Sequence, residues 1–230
     1  MFNFKPLFMQ YKCIQAIILT LLTSICFHAL GAEPSAIPVK IIDQHGKPVH
    51  GAVVSYEQAI HANASNSPQQ PPAIMDQVDQ QFSPFVLAIK TGTPVSFPNS
   101  DDIRHHVYSF SAIHPFEIRL YKGTPSSPEV FAEQGVVELG CNIHDKMRGF
   151  IYVTDKDFST ASDKNGMTTV PVNISEVVVW HPRLARDTIK HIDMRLPAPS
   201  PNGTIEIVLN LVDGVDQPEH HTHRFNKKFQ

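Results

Sequence analysis

Three side chains that carry metal-binding atoms lie close together between residues 141 and 147. Cys141 supplies a thiolate, His144 an imidazole and Met147 a thioether, each three residues from the next. Blue-copper electron-transfer sites combine two imidazoles, one thiolate and a weak, long thioether bond. The run therefore predicts three ligands of a copper site and requires one more histidine from elsewhere in the chain.

The missing histidine lies upstream, where His105 and His106 are adjacent. Neighbouring residues of a strand point to opposite faces of a sheet, so only one of the two can reach the metal. Either imidazole can be proposed from its type alone.

Short strands must position these residues. Between Ala73 and Asp155, apolar and polar residues alternate in segments of four to six residues that are separated by turn signals. This spacing is typical of a β-sandwich, and no segment beyond the N-terminus has the length and period of a helix. The predicted strands are 85–90, 94–97, 106–110, 116–120, 136–139 and 149–153.

The same residues allow three other interpretations. A buried Cys141 can act as a small apolar side chain, with His144 and Met147 on an ordinary loop. Zinc binds thiolate and imidazole, although a thioether is a poor zinc ligand. Cys141 and His144 could also form a nucleophilic pair, but the sequence offers no third group to orient the histidine. Copper accounts best for these residue types at this spacing.

Residues 1–32 have the pattern of a secretory signal peptide. Lys5 and Lys12 precede an apolar stretch from Cys13 to Leu30, and small residues follow at Gly31 and Ala32. A retained membrane anchor is the alternative, but polar residues interrupt the apolar stretch. We therefore expect cleavage, no membrane span afterwards, and a periplasmic or secreted protein.

Cleavage would change both the charge and the cysteine content. The net charge moves from −3 to −5, with 17 basic against 22 acidic residues, because two lysines leave. A mildly acidic chain argues against nucleic acid as a partner. Cys13 and Cys26 leave as well, so Cys141 remains as a lone thiol. Metal binding is the simplest reason to keep such a thiol in an oxidising compartment.

Residues 73–155 resemble the cupredoxins, above all the group of plastocyanin and amicyanin. The resemblance rests on Cys141-Asn-Ile-His144-Asp-Lys-Met147-Arg-Gly and on Asn99 and the acidic Asp101 ahead of His105, followed by Val107. This motif position favours His105 over His106 as the ligand. We then expect Asn99 and His106 to support the ligands through hydrogen bonds rather than to bind the metal. The sequence around both segments is also similar to that of secreted methylamine-utilisation-type cupredoxin proteins. The resemblance implies a Greek-key β-sandwich with one type 1 copper, equatorial ligands His105, Cys141 and His144, and Met147 as the axial ligand.

The rest of the chain flanks this unit on both sides. Residues 36–60 and 159–212 are similar to carboxypeptidase regulatory-like domains, which implies an all-β protein with a second, discontinuous Ig-like sandwich. One enlarged sandwich is the alternative.

Residues 59–72 are predicted to form a mobile loop, and residues 213–230 a polar tail whose histidines are solvated. Trp180 and the residues after it are predicted to be core at a strand end rather than a docking surface.

These features predict a carrier of single electrons and not an enzyme. The resemblance implies a partly exposed His144 and an apolar patch around Ile143 that docks a redox protein, for which a c-type cytochrome or a dehydrogenase is possible. The alternative is a copper-binding, sensing or delivery module without an electron-transfer role.

Overall fold

The computed structural model describes residues 36–58 and 71–213, and in this part of the chain every regular element is a β-strand. The all-β prediction is therefore confirmed. No helix among these residues could cross a membrane. The predicted signal segment, nearly all of the loop at 59–72 and the tail beyond residue 213 lie outside the described residues.

The described residues contain seventeen strands, most of them short. They are β1 Ala36–Asp43, β2 Val53–Tyr56, β3 Ala73–Ile74, β4 Asp76–Val78, β5 Gln81–Ser83, β6 Val86–Lys90, β7 Thr93–Ser96, β8 His105–Ser109, β9 Phe116–Tyr121, β10 Glu129–Phe131, β11 Gly135–Gly140, β12 Arg148–Thr154, β13 Phe158–Ala161, β14 Met167–Pro171, β15 Glu176–Trp180, β16 His191–Arg195 and β17 Ile205–Leu209.

Residues 73–154 form what we call the metal-site sandwich. A five-stranded sheet, in the order β6-β12-β11-β8-β9, shares one apolar core with a three-stranded sheet, β10-β7-β3. The alternating pattern places one face of each strand in this core, as in Val107 of β8 and Val137 of β11. The hairpin of β4 and β5 adds Phe82 to the same core.

Residues 36–56 and 158–209 form what we call the flanking sandwich. Its sheets are β14-β1-β17 and β13-β2-β15-β16, and aliphatic residues from both share a second core. The chain thus leaves this sandwich after β2 and returns at β13. Its domain limits and its kinship with carboxypeptidase regulatory-like domains stay predictions.

A third apolar cluster joins the two sandwiches. Trp180 of β15 is fully buried and packs its ring on Tyr152 and Phe150 of β12, at centroid distances of 5.2 and 6.0 Å. Its indole N–H donates to the carbonyl of Thr188 at 2.7 Å. Trp180 is therefore core, as predicted, and the alternative of a docking surface at this residue is wrong.

Candidate metal centre

A seven-residue loop from Cys141 to Met147 connects β11 to β12. The two strands pair up to Gly140 and Arg148, so the ends of the loop are held side by side. Inside the loop, the His144 N–H points to the Cys141 carbonyl at 3.4 Å, and the Met147 N–H donates to the His144 carbonyl at 2.9 Å. These turns bring three potential ligands into a compact arc.

His105 comes from a different strand of the same sheet. It is the first residue of β8, which lies beside β11 through the pair Gly140 and Tyr108. The register between β8 and β9 shifts between His105 and Val107. Such irregularities re-aim side chains next to functional sites. His105 is fully buried and faces the loop that carries Cys141.

The structure brings the donor atoms of His105, Cys141 and His144 together. Nδ1 of each imidazole lies 3.7 Å from the Cys141 sulfur, and the three donor atoms lie within 4.8 Å of one another. The two rings have a centroid distance of 5.0 Å. Metal bonds of about 2.0–2.3 Å spread in one plane would separate sulfur and nitrogen by about 3.7 Å. The three residues therefore fit one metal ion.

Met147 lies beside this group in the interior. Its side chain is buried in the same apolar core as Cys141, at the point where β12 begins. A thioether in an apolar setting is a soft ligand suited to Cu(I), and it discriminates against zinc. The axial role that the resemblance implies for Met147 stays a prediction.

His144 is the partly exposed member of the group. Burial lowers the pKa of His144, the nearby His105 ring adds to this effect, and the Asp101 carboxylate opposes it. A lowered pKa keeps the imidazole neutral, which is the form that binds a metal. Ile143, beside it in the loop, is 48% exposed.

Asp101 supports His105 from the side away from the sulfur. Its carboxylate Oδ2 lies 2.7 Å from Nε2 of the His105 ring. The backbone N–H groups of Asp79 and Gln80 donate to the same carboxylate at 2.7 and 2.9 Å. Partial burial alone would raise the pKa of Asp101, but the hydrogen bonds from Gln80, His105 and Asp79 outweigh it and the pKa is lowered. The carboxylate is thus an acceptor only.

Asn99 holds the backbone that leads to His105. Its side-chain amide donates to the carbonyls of Ile103 and Tyr121, both at 2.9 Å, and its oxygen accepts the Asp101 N–H at 3.0 Å. Asn99 therefore shapes the loop through backbone groups, and its support of the ligands stays a prediction.

His106 points the other way. Its Nε2 lies 3.0 Å from a carboxylate oxygen of Glu117, and its ring packs near Tyr108 on the outer face of the sheet. Strand alternation explains this placement, because His105 already takes the inner face. The structure does not bring His106 to the ligands, so the predicted hydrogen bond from His106 to them is not present.

Sequence analysis missed two further supporting residues. Gln77 is fully buried and donates to the Pro98 carbonyl at 3.0 Å and to the Tyr121 hydroxyl. The Tyr121 hydroxyl donates to the Phe97 carbonyl at 2.6 Å, and burial raises the pKa of Tyr121 to about 12. A phenol with so high a pKa keeps its proton and remains a donor. The sequence around Gln77 is mostly polar, Asp76-Gln77-Val78-Asp79-Gln80, and gave no signal for these roles.

Two glycines allow close packing around the ligand loop. A side chain at Gly140 would meet the ring of Tyr108 at 2.7 Å, and one at Gly149 would meet Phe82 of β5 at 2.7 Å. Both neighbours can approach because glycine lacks a Cβ. The hairpin of β4 and β5 thereby packs directly on the strand that follows Met147.

The solved structures to which this chain is similar are cupredoxins. A copper-containing nitrite reductase from Thermus scotoductus SA-01 is 26% identical over 40% of this chain and 24% of its own, with a TM-score of 0.36. A purple cupredoxin from Nitrosopumilus maritimus is 24% identical over 36% of this chain and 99% of its own, with a TM-score of 0.33. A variant of amicyanin in its reduced Cu(I) form is 20% identical over 45% of this chain and 99% of its own, with a TM-score of 0.34. The likeness to cupredoxins that was predicted from the sequence is thus found over 36 to 45% of the chain.

The present chain spans about a quarter of the nitrite reductase, 24% of its length. No family model matches the chain. No curated protein matches it either. Because all three TM-scores lie below 0.5, the function has to be inferred from the donor atoms and their surroundings.

Proposed function

We propose that this protein is a type 1 copper protein that carries single electrons outside the cytoplasm. The observation that carries the proposal is the meeting of two imidazole nitrogens at 3.7 Å from one buried thiol sulfur. Two nitrogens and one sulfur with a thioether nearby make the donor set of blue-copper sites. The described residues contain one such group, and the proposal is therefore one type 1 copper ion per chain.

Copper bound here would supply a one-electron couple between Cu(I) and Cu(II). The task of the protein is to hold a ligand arrangement that both oxidation states accept. His105 is held on a strand and by Asp101, and the loop from Cys141 to Met147 is fixed by pairing of β11 with β12. Ligands that are fixed before the metal binds have little freedom to rearrange when the charge changes.

We further propose that electrons leave and enter through His144. It is partly exposed, whereas Cys141 and His105 are buried. Exposed Ile143 adds an apolar contact surface beside it, of the kind that small, transient redox encounters use. Asp145 and Lys146 carry opposite charges close by, so steering by one sign is weak. A c-type cytochrome or a dehydrogenase is the proposed partner.

The proposed compartment is the periplasm or the exterior, reached through the signal pattern of residues 1–32. A buried Cys141 bound to a metal would be protected from the oxidants of that compartment. The role is that of a carrier, and the proposal includes no bond-making step on a substrate.

Addition of Cu(II) to the mature protein tests the site. We expect an intense visible band from charge transfer between the Cys141 thiolate and copper, and an electron paramagnetic resonance spectrum with narrow copper hyperfine splitting. Cys141→Ser should lose both signals while it stays folded. A wild-type protein that gives only weak d–d absorption would contradict the type 1 assignment.

The electron self-exchange rate separates a carrier from a storage or delivery module. Nuclear magnetic resonance line broadening in mixtures of the reduced and oxidised protein measures this rate. Exchange that is fast and depends on protein concentration supports the carrier. A correct blue spectrum with no measurable self-exchange would favour the module for copper binding or delivery.

A further inference from the structure

The turn between β4 and β5 has an unusual backbone. Asp79 and Gln80, its two central residues, have φ angles of 52° and 59°. Two successive left-handed residues define the tight hairpin turn that normally contains asparagine and glycine. Side chains with a Cβ are disfavoured in this conformation, so the turn needs support from its surroundings.

That support comes from Asp101. The N–H groups of Asp79 and Gln80 both point at its carboxylate, at 2.7 and 2.9 Å. Further hydrogen bonds tie the loop around Asp101 to the hairpin. Among them, the Gln77 N–H donates to the Pro98 carbonyl and the Ser100 N–H donates to the Gln77 carbonyl, both at 3.1 Å. The hairpin and the loop before His105 therefore form one hydrogen-bonded unit.

The same carboxylate determines which ring nitrogen of His105 carries the proton. An ionised carboxylate only accepts hydrogen bonds, so Nε2, at 2.7 Å from Oδ2, must be the donor. A neutral imidazole has one N–H, and a proton on Nε2 leaves a lone pair on Nδ1. Nδ1 is the nitrogen that faces the Cys141 sulfur at 3.7 Å.

We propose that Asp101 is a positioning residue which sets the metal-binding tautomer of His105 and joins that ring to the turn of the β4–β5 hairpin. This inference rests on the proposed function, since the free Nδ1 is needed for a metal ion. The proposal gives the β4–β5 hairpin a role in the site. Two of the three groups that donate to the Asp101 carboxylate are backbone amides of the hairpin turn.

The test compares Asp101→Ala with Asp102→Ala. Asp102 is the adjacent residue, its side chain is fully exposed, and it contacts only Lys122 among the described residues. Nitrogen-detected nuclear magnetic resonance of the metal-free proteins reads the His105 tautomer, and amide exchange reads the turn. Competition with a chelator of known affinity gives the Cu(I) dissociation constant.

In the wild type and in Asp102→Ala we expect His105 with its proton on Nε2 alone. In Asp101→Ala we expect a mixture of tautomers, amide exchange at Asp79 and Gln80 faster by about tenfold or more, and a Cu(I) dissociation constant raised about 10–100-fold. A ring that stays entirely Nε2-protonated in Asp101→Ala, with an unchanged dissociation constant, would overturn the proposal.

A second variant covers the case in which Asp101→Ala unfolds locally. Asp79→Asn with Gln80→Gly suits the left-handed turn by itself, and combined with Asp101→Ala it should restore the protection of the hairpin. The mixed tautomers and the weakened copper binding should persist. If repair of the turn also restores the single tautomer, the hairpin and not the carboxylate positions His105, and the proposal is wrong.

The two proposals can fail separately. A wild-type protein without the thiolate-to-copper band would refute the proposed function. The tautomer and amide exchange of the metal-free variants would still decide whether Asp101 positions the His105 ring.

Discussion

The two sandwiches each bury a histidine, and they use it in opposite ways. His105 of the metal-site sandwich has one ring nitrogen on Asp101 and the other facing the Cys141 sulfur. His181 of the flanking sandwich is 4% exposed, and both of its nitrogens meet the backbone, the carbonyl of His50 and the N–H of Arg183, at 3.2 Å. A buried ring with a nitrogen left for other donor atoms can bind a metal, whereas a ring saturated by backbone groups supports the fold.

Other buried polar groups follow the same division. Asn99 shapes the loop that leads to a ligand. In the flanking sandwich, the Ser162 hydroxyl donates to the Val49 carbonyl at 2.6 Å and accepts the Ala52 N–H at 2.9 Å, so it closes a gap between backbone segments. Burial of a polar residue therefore does not identify a site. A site is identified by a donor or acceptor atom that has no partner within the fold, and by the direction in which this atom points.

The largest expected effect comes from cutting the contact between the two sandwiches. Trp180→Ala removes a fully buried ring from the cluster that contains Phe150 and Tyr152, and should lower the free energy of unfolding by about 3–5 kcal/mol. The blue spectrum of folded protein should survive, since no ligand is touched. Urea unfolding and copper titration measure the two results.

Ile189→Ala is the control for this change, because that side chain is 65% exposed. It should alter stability by less than about 0.5 kcal/mol. Loss of the copper spectrum in a folded Trp180→Ala protein would show that the two regions are not separable.

A pH effect of similar size should belong to the flanking sandwich. Burial lowers the pKa of His181 to about 4, against a value of about 6.5 in the unfolded chain. As the pH falls, the unfolded state gains this proton first. The contribution of His181 to the free energy of unfolding is therefore fully present above about pH 6.5 and is lost as the pH falls towards 4. The loss amounts to about 3 kcal/mol. A proton on Nδ1 would also face the Arg183 N–H that this nitrogen now accepts.

Urea unfolding of the metal-free protein at pH 7.5 and pH 4.5 measures this loss. His181→Gln keeps one donor and one acceptor but does not titrate, so its stability should fall less between the two pH values. Equal losses in the variant and the wild type would assign the acid sensitivity to other groups.

Two matched side-chain truncations, one in each sandwich, are expected to have smaller effects on stability. Asn99→Ala and Ser162→Ala each leave buried backbone groups without a partner, and each should lower stability by about 1–3 kcal/mol. Only Asn99→Ala should also change the copper spectrum and the reduction potential, because it loosens the loop before His105. Equal spectra for both variants would contradict the supporting role of Asn99.

The smallest effect on stability is expected at the exposed patch. Ile143→Asp places a charge beside His144 and should change the free energy of unfolding by less than about 0.5 kcal/mol. The added charge should slow self-exchange about tenfold or more, because two copies would bring like charges together. Ile189→Asp adds the same charge in the flanking sandwich, so an equal slowing there would remove Ile143 from the proposed contact surface.

The sequence predicted strands where apolar alternation is clean, as in β8 and β11, which are confirmed within one residue at their ends. It missed β3, β4 and β5, which have only two or three residues each. It also missed β10, β13, β14 and β16, and each of these is an outermost strand of its sheet. An edge strand has one neighbour and faces water on its other side, so fewer of its residues need to be apolar. The edge strands β6 and β9 were nevertheless predicted, so an edge position weakens the sequence signal without removing it.

For the site, the short spacing of Cys141, His144 and Met147 was sufficient to predict a shared loop, and strand alternation predicted that only one of His105 and His106 could face it. The sequence did not predict the role of Asp101 in positioning the His105 ring. Its carboxylate meets amides of Asp79 and Gln80 that lie 22 and 21 residues earlier in the chain. Contacts of this kind depend on how two loops meet, which local sequence does not encode.

X-ray absorption at the copper edge, recorded for the oxidised and the reduced protein, tests most directly whether His105, Cys141 and His144 form one site that is fixed in advance. We predict one sulfur and two nitrogens at the shortest distances from copper in both oxidation states. These distances should change by less than about 0.1 Å between the two oxidation states, because the ligands are already held in place. Absence of the sulfur, or a different set of nearest atoms in the two states, would contradict an electron-carrying copper site.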